Sequence, residues 1–206
     1  MMRLAVMVSG SGSNLQALID AQKAQQLNAT INVVICDQPK AQAISRTLAA
    51  RIPVICVPLA KKASREQWAE QISQLLAAFT PDLIVMAGWM KVMPAAFVER
   101  WTPNIINQHP ALLPDDGGEF YTLSDGRQIP AIRGAHAVRD ALDLGVPVTG
   151  CTVHQITPIV DVGPVLAKAE VAVLPNDDQA SLHERIKQAE RRILVDVINN
   201  LAQTVA

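Results

Sequence analysis

Where an apolar run gives way to polar residues, the chain sets an amide and an imidazole two residues apart, in Ile105-Ile106-Asn107-Gln108-His109-Pro110-Ala111-Leu112-Leu113-Pro114. The run reads as a buried strand. In an open α/β sheet, ligands bind just beyond the carboxyl ends of strands, so Asn107 and His109 fall where a donor and a proton-carrying ring can meet a substrate. On spacing alone, the same pair could equally do no more than satisfy a turn. A second stretch, Ser9-Gly10-Ser11-Gly12-Ser13-Asn14, links an apolar run at residues 4–8 to Leu15, Leu18 and Ile19 at helical spacing. N–H groups at such a helix start lack intrahelical partners, Gly12 lets an anion approach, and Ser13 and Asn14 add donors, all of which suits a phosphate. The dinucleotide fingerprint is absent because Leu15 takes its third glycine position, and no Gly-Lys-Ser/Thr follows to make a nucleoside triphosphate loop. A tight turn capped by Ser13 is the plainer alternative.

The elements that must position these groups alternate in type. Residues 30–36, 53–57 and 83–87 read as strands, and 41–50 and 64–79 as helices, the latter with Ser64 and Gln67 at capping-box spacing. Repeated βα units imply a doubly wound, mostly parallel sheet with helices on both faces. After Pro114 the pattern breaks. Asp125-Gly126 between Phe120-Tyr121-Thr122-Leu123 and Arg127-Gln128-Ile129 is a hairpin signal, so an inserted hairpin or flap is expected at about 115–133. A helix at 135–144 and strands at 148–156 and 165–173 follow, the strands forming a C-terminal antiparallel extension. The last helix begins near Asp178 and buries Leu182, Ile186, Ala189 and Ile193, while His183, Lys187 and Glu190 share a polar stripe whose default is to meet water. Trp89, Met90, Val92 and Met93 either line a flat pocket or fill core.

With 206 residues, 50% hydrophobic and 18% charged, one domain spanning 1–206 is expected. A net charge of −1 exerts no pull toward nucleic acid or a membrane surface, which favours small-molecule partners. The apolar runs are short, and Met1-Met2-Arg3 leads straight into a strand, so a cytoplasmic protein is expected. Cys36, Cys56 and Cys151 form no C-x-x-C pair and are expected as buried free thiols. The four histidines have no metal-ligand spacing, and no metal site is expected.

The glycine loop, the segment Asn107-x-His109-Pro-x-Leu-Leu-Pro114 and Asp161-x-Gly-Pro164 together resemble the phosphoribosylglycinamide formyltransferases, in the same order over nearly the whole chain. The resemblance implies formyl transfer from 10-formyltetrahydrofolate, as co-substrate, to the amine of 5-phosphoribosylglycinamide in purine biosynthesis, with no metal. It implies Asn107, His109 and Asp161 as catalytic residues, the carboxylate keeping the imidazole cationic so that ring and amide can stabilise a developing oxyanion. It places Gly12, Ser13 and Asn14 on the ribose phosphate and Glu190 near the sugar hydroxyls or glycyl amine, which overrides the water-facing default. Met90, Lys91, Val92 and Met93 become walls of the pterin pocket, Asn107 also faces the cofactor, and Arg65 lies toward the folate tail. Lys91 stands where an arginine is common, which weakens a bidentate contact. Residues 115–133 intervene before Gly134-Ala135-His136 where the family runs on directly; they could lid the cleft, contact a neighbouring subunit in a homodimer, or do neither. His136 and His154 are read as structural. Two rivals stay open: a same-fold formyltransferase or formyltetrahydrofolate hydrolase with another acceptor, and a non-catalytic phosphate-ligand binding module.

Overall fold

The computed structural model describes residues 1–204. Its first half runs β1 (Met2–Val8), α1 (Ser13–Lys23), β2 (Ala29–Cys36), α2 (Gln42–Ala49), β3 (Val54–Cys56), α3 (Arg65–Ala78), β4 (Leu83–Met86), α4 (Ala95–Trp101) and β5 (Ile105–His109). Then come β6 (Phe120–Thr122), β7 (Gln128–Pro130), α5 (Ala137–Asp143), β8 (Val148–Gln155), β9 (Val165–Ala172) and α6 (Gln179–Thr204). Seven strands hydrogen-bond in the order β3-β2-β1-β4-β5-β8-β9. The first five pair in parallel, and β8 and β9 add on antiparallel, as the half-exposed alternation of residues 165–173 suggested.

Alternate side chains of each central strand enter two different cores. Leu4, Val6 and Val8 pack with Leu15 and Leu18 of α1 and Leu182, Ile186 and Leu194 of α6. Ala5 and Met7 face the other way, toward Trp68, Ile72 and Leu76 of α3 and Phe97 and Val98 of α4. Burial on both faces is why these strands read as unbroken apolar runs. From β1 the chain winds outward through β2 and β3, then crosses back to β4 on the other side. The reversal opens a crevice beyond the carboxyl ends of β1 and β4.

The segment after Pro114 is a packed hairpin. Its strands β6 and β7 pair antiparallel, and Gly126 turns the tip with φ +85°. Tyr121, Leu123, Ile129 and Ile132 form a third apolar cluster with Leu112 and with Ala137 and Ala141 of α5.

Two expectations change. Helix α4 was not foreseen: it occupies only seven residues between Pro94 and Pro103, too short for a periodic pattern to stand out. Cys56 is exposed, whereas Cys36 and Cys151 are buried, because β3 is the edge strand. Ser64 does cap α3, its Oγ accepting from the Gln67 N–H at 3.3 Å. Among the described residues no helix is long and apolar enough to cross a membrane.

Candidate active site

A cavity of about 420 Å³ lies in the crevice, walled by residues 10–14, 86–93, 107–110, 134–136 and 156–161 and by the α6 side chains Gln179, His183, Lys187 and Glu190. On one side is the start of α1. Its N-cap is Gly12, with φ +71°, and no side chain caps the helix; the capping role considered for Ser13 is not observed. The first N–H groups of α1 therefore stay available, and the Lys187 side chain lines the same cavity. Glycine is needed at position 12 for two reasons. The left-handed φ disfavours side chains, and a Cβ there would lie 2.8 Å from the Ala43 Cβ of α2. Gly12→Val is accordingly expected to raise the KM for a phosphorylated acceptor about 10- to 100-fold, the worth of one or two charge-assisted hydrogen bonds, with a smaller effect on kcat. Steady-state kinetics on the folded variant would check this, and an unchanged KM would contradict it.

Strand β5 delivers side chains to both banks. Asn107 pairs in register with His154 of β8, and His109 with Thr152. The Asn107 Nδ2 lies 3.3 Å from His154 Nε2, and His154 Nδ1 lies 2.9 Å from the Gln155 carbonyl. That carbonyl can only accept, so Nδ1 carries a proton, while Nε2 faces both the Asn107 amide and the Asp161 carboxylate. The Asn107 side chain also lines the cavity. Thr152 fixes the following turn, its hydroxyl donating to the Ala111 carbonyl at 2.8 Å and accepting from the Leu113 N–H at 3.0 Å.

His109 is buried, at 4% exposure. Its Nε2 lies 2.8 Å from the Ile132 carbonyl, and its Nδ1 lies 3.5 Å from Asp161 Oδ2. The carbonyl requires Nε2–H, which makes Nδ1 the nitrogen that gains or loses a proton. Burial pulls the ring below the ordinary histidine value, outweighing the pull of the Asp161 carboxylate and the Ile132 carbonyl in the other direction. Burial thus works against the cationic ring that the resemblance implies and favours a neutral ring with Nδ1 facing Asp161. The 3.5 Å gap, longer than a normal hydrogen bond, fits that state.

Asp161 is the hub of the group. Burial would raise its carboxyl, but contacts with His154 and His109 and the Gly134 N–H, 2.9 Å from Oδ2, hold it down at about 2. The other oxygen lies 3.6 Å from His154 Nε2. Asp161 has φ +54°, a left-handed conformation that costs a non-glycine residue about 1 kcal/mol. Two residues on, Gly163 presses against β8 so closely that a Cβ would sit 1.8 Å from the Gln155 carbonyl oxygen. That approach accounts for the glycine of the Asp161-x-Gly-Pro164 motif.

The third group was only half legible in the sequence. Glu190 of α6 is buried at 2% exposure rather than lying on a wet stripe. Its Oε2 accepts from Asn14 Nδ2 at 3.0 Å and from Gln108 Nε2 at 3.2 Å. Burial raises its pKa despite the Asn14 hydrogen bond. Both amides spend donors on Glu190, and their oxygens, Asn14 Oδ1 and Gln108 Oε1, are buried without a partner. The cluster is rich in acceptors and calls for a ligand that donates, such as hydroxyls or an ammonium. Gln108 was passed over. Its signal was parity, since it shares the face of Ile106, which packs in the core that holds α1 and α6.

The opposite bank contains Met90, Lys91, Val92 and Met93. Met90 and Val92 are exposed, but Met93 is largely buried, and Trp89 stacks on Trp68 with ring centroids 5.8 Å apart. Trp89 and Met93 therefore serve core and cavity together. Across the mouth, exposed Ile159 and Val160 add apolar surface that the sequence reading missed. Arg65 is not part of the cavity wall; its guanidinium approaches the Val92 carbonyl at 3.4 Å, just outside the rim. The Ser9 hydroxyl accepts from the Met90 N–H at 2.9 Å and so ties the two banks together. Among the described residues no group of three or more His, Cys, Asp or Glu side chains is arranged to hold a metal ion.

Residues 2–198 match the family described as Formyl transferase. The chain belongs to that family. A Mycobacterium tuberculosis phosphoribosylglycinamide formyltransferase is 40% identical to this formyl transferase over 200 residues, spanning 97% of this chain and 85% of the relative. Among solved structures, glycinamide ribonucleotide transformylase 1 from Symbiobacterium toebii superposes with a TM-score of 0.88 at 33% identity, covering 99% of this chain and 89% of that one. Phosphoribosylglycinamide formyltransferase from Bacillus halodurans gives a TM-score of 0.87 at 29% identity, covering 99% and 97%. The doubly wound sheet with its antiparallel extension is thus a formyl transferase fold.

Proposed function

We propose that this formyl transferase moves the formyl group of 10-formyltetrahydrofolate onto the amine of 5-phosphoribosylglycinamide. The observation that carries the reading is the cavity itself: an uncapped helix start, an acceptor-rich cluster and the Asn107–His109–Asp161 group all open into it. Each suits one part of the reactants. The α1 N-terminus and Lys187 take the phosphate. Glu190, with the free oxygens of Asn14 and Gln108, takes the ribose hydroxyls. The rim of Met90, Val92, Ile159 and Val160 suits the flat and apolar parts of the folate, and Arg65 outside it suits the carboxylates of the tail.

Between the two halves of the site, Asn107 offers an N–H to the carbonyl oxygen as negative charge develops there. The bare Nδ1 of His109 takes a proton from the attacking amine. The imidazolium so formed lies against ionised Asp161, which stabilises it, and then returns the proton to the departing folate nitrogen. Burial and the carboxylate thus act at different moments. The first keeps the ring a base before attack, and the second makes the charged ring affordable afterwards.

Mixing the purified protein with both reactants and following loss of the folate's formyl group spectroscopically tests the assignment. Turnover is expected with phosphorylated glycinamide riboside and should collapse with the phosphate-free riboside. Equal rates with the two would move the acceptor to another class, formate release without acceptor would make the enzyme a hydrolase, and binding without product would leave a ligand-binding module.

Glu190→Gln gives a second check. It should raise the acceptor KM about 10-fold or more, because hydrogen bonds to a charged partner are lost. Its stability effect should have the opposite sense. The folded-state pKa of Glu190 is raised, so the proton it holds favours folding below its unfolded value, and that contribution vanishes as pH climbs through the raised value. The Gln variant avoids that loss. Its Tm relative to the parent should therefore rise with pH across that window, and a Tm difference that falls with pH would contradict this.

A further inference from the structure

The inserted segment reaches the chemistry only through its returning end, where three consecutive residues touch the His109–Asp161 pair. The Ile132 carbonyl accepts from His109 Nε2 at 2.8 Å, and the Gly134 N–H donates to Asp161 Oδ2 at 2.9 Å. Between them, Arg133 donates from Nε to the Asp161 main-chain carbonyl at 3.2 Å. Its Nη2 donates the other way, to the carbonyls of Gly117 at 3.0 Å and Gly118 at 2.7 Å, in the outgoing arm of the same insertion.

The guanidinium is therefore a brace between the two arms of the insertion and the backbone of the residue with the left-handed φ. Its partners are three main-chain oxygens, and it is not part of the cavity wall. Apart from its charge, which also pulls the nearby His109 ring down, it reaches the reacting groups through what it holds. The loop is pinned from a second direction as well: Gly117 lies so close to Val162 that a Cβ there would be 2.8 Å from Val162 Cγ1.

We propose that Arg133 is a positioning residue for formyl transfer, holding the Asp161 backbone in its strained conformation so that the carboxylate faces His109 and His154. The planar fork suits the task, because Nε and Nη2 point at different carbonyls at fixed angles. A lysine has one donor centre and cannot reach both sets. The inserted hairpin thereby serves the reaction as a frame, braced at its base, with its apolar face bonded to α5 and Leu112.

This rests on the assignment of Asp161 as the partner of His109, so the experiment separates the two claims. Arg133→Ala and Asp161→Asn are measured singly and together in the full-length enzyme. Arg133→Ala is expected to lower kcat roughly 10- to 50-fold, as a displaced catalytic group does, while the acceptor KM changes by less than about 3-fold. Arg133→Lys should recover only a minor part of the loss. In the Asp161→Asn background, Arg133→Ala should cost less than about 2-fold, because groups acting through one another are not additive. An equal fractional loss in both backgrounds, or a parallel rise in KM, would mean that Arg133 only supports the hairpin and would overturn the proposal. Should Arg133→Ala fail to fold, Arg133→Lys and Arg133→Gln carry the same cycle with the same criterion. If Asp161→Asn alone keeps the parent kcat, the assignment of Asp161 falls and this proposal with it. If Asp161→Asn is impaired and the Arg133 effect is additive, only the bracing role falls.

Discussion

His109→Ala should lower kcat about a thousandfold, within the range that proton transfer by a positioned ring supplies. The estimate follows from the ring's place: it lines the cavity with Nδ1 3.5 Å from the Asp161 carboxylate, and its Nε2 is already committed to the Ile132 carbonyl. On the proposed mechanism its removal takes away the base for the amine and the acid for the folate nitrogen, while the residues proposed for the phosphate and ribose are untouched. The acceptor KM should therefore change little. Because burial holds the ring below the ordinary histidine value, kcat/KM of the parent should fall on the acid side with an inflection below about 6.5. A variant with near-normal kcat, or a parent inflection above that value, would reject the role.

Asp161→Asn is expected to lower kcat about a hundredfold and to move the acid inflection further down. The sign follows from the charge: the carboxylate raises the His109 pKa, so an uncharged amide in its place lets burial act unopposed. The variant also carries a stability signature. Asp161 titrates at about 2 in the folded protein against 3.8 unperturbed, so its contribution is complete above the unfolded value and disappears as pH falls through about 2. The difference corresponds to an order of ~2 kcal/mol at neutral pH. Chemical denaturation of parent and variant at pH 7 and near pH 2 should show a gap that closes on acidification. A gap that widens on acidification would put the carboxylate in the wrong state.

The sheet was legible because burial on both faces writes β1, β2 and β4 as largely apolar runs, and because Asp125-Gly126 is a local instruction for a turn. Helix α4 was not, since seven residues between prolines give no period to count. Asn107, His109 and Asp161 came from a motif resemblance; the structure adds which nitrogen and which oxygen face which. The acidic neighbour of His109 is visible in a sequence, whereas the desolvation that opposes its pull on the ring is not. Gln108 was hidden by the same alternation that displayed Asn107 and His109. Arg133 had no signature at all, because its partners are carbonyls that every residue possesses.

Strand β5 also limits how this site can change. Gln108 serves the α6 side of the cavity while its neighbours at 107 and 109 serve the reacting side. Losing or gaining a single residue upstream within the strand would exchange the two sets and turn a glutamine toward Asp161 and an imidazole toward Glu190. Diversification at this spot is therefore confined to swapping side chains at constant length, whereas the β6–β7 segment after Pro114 is free of any such parity.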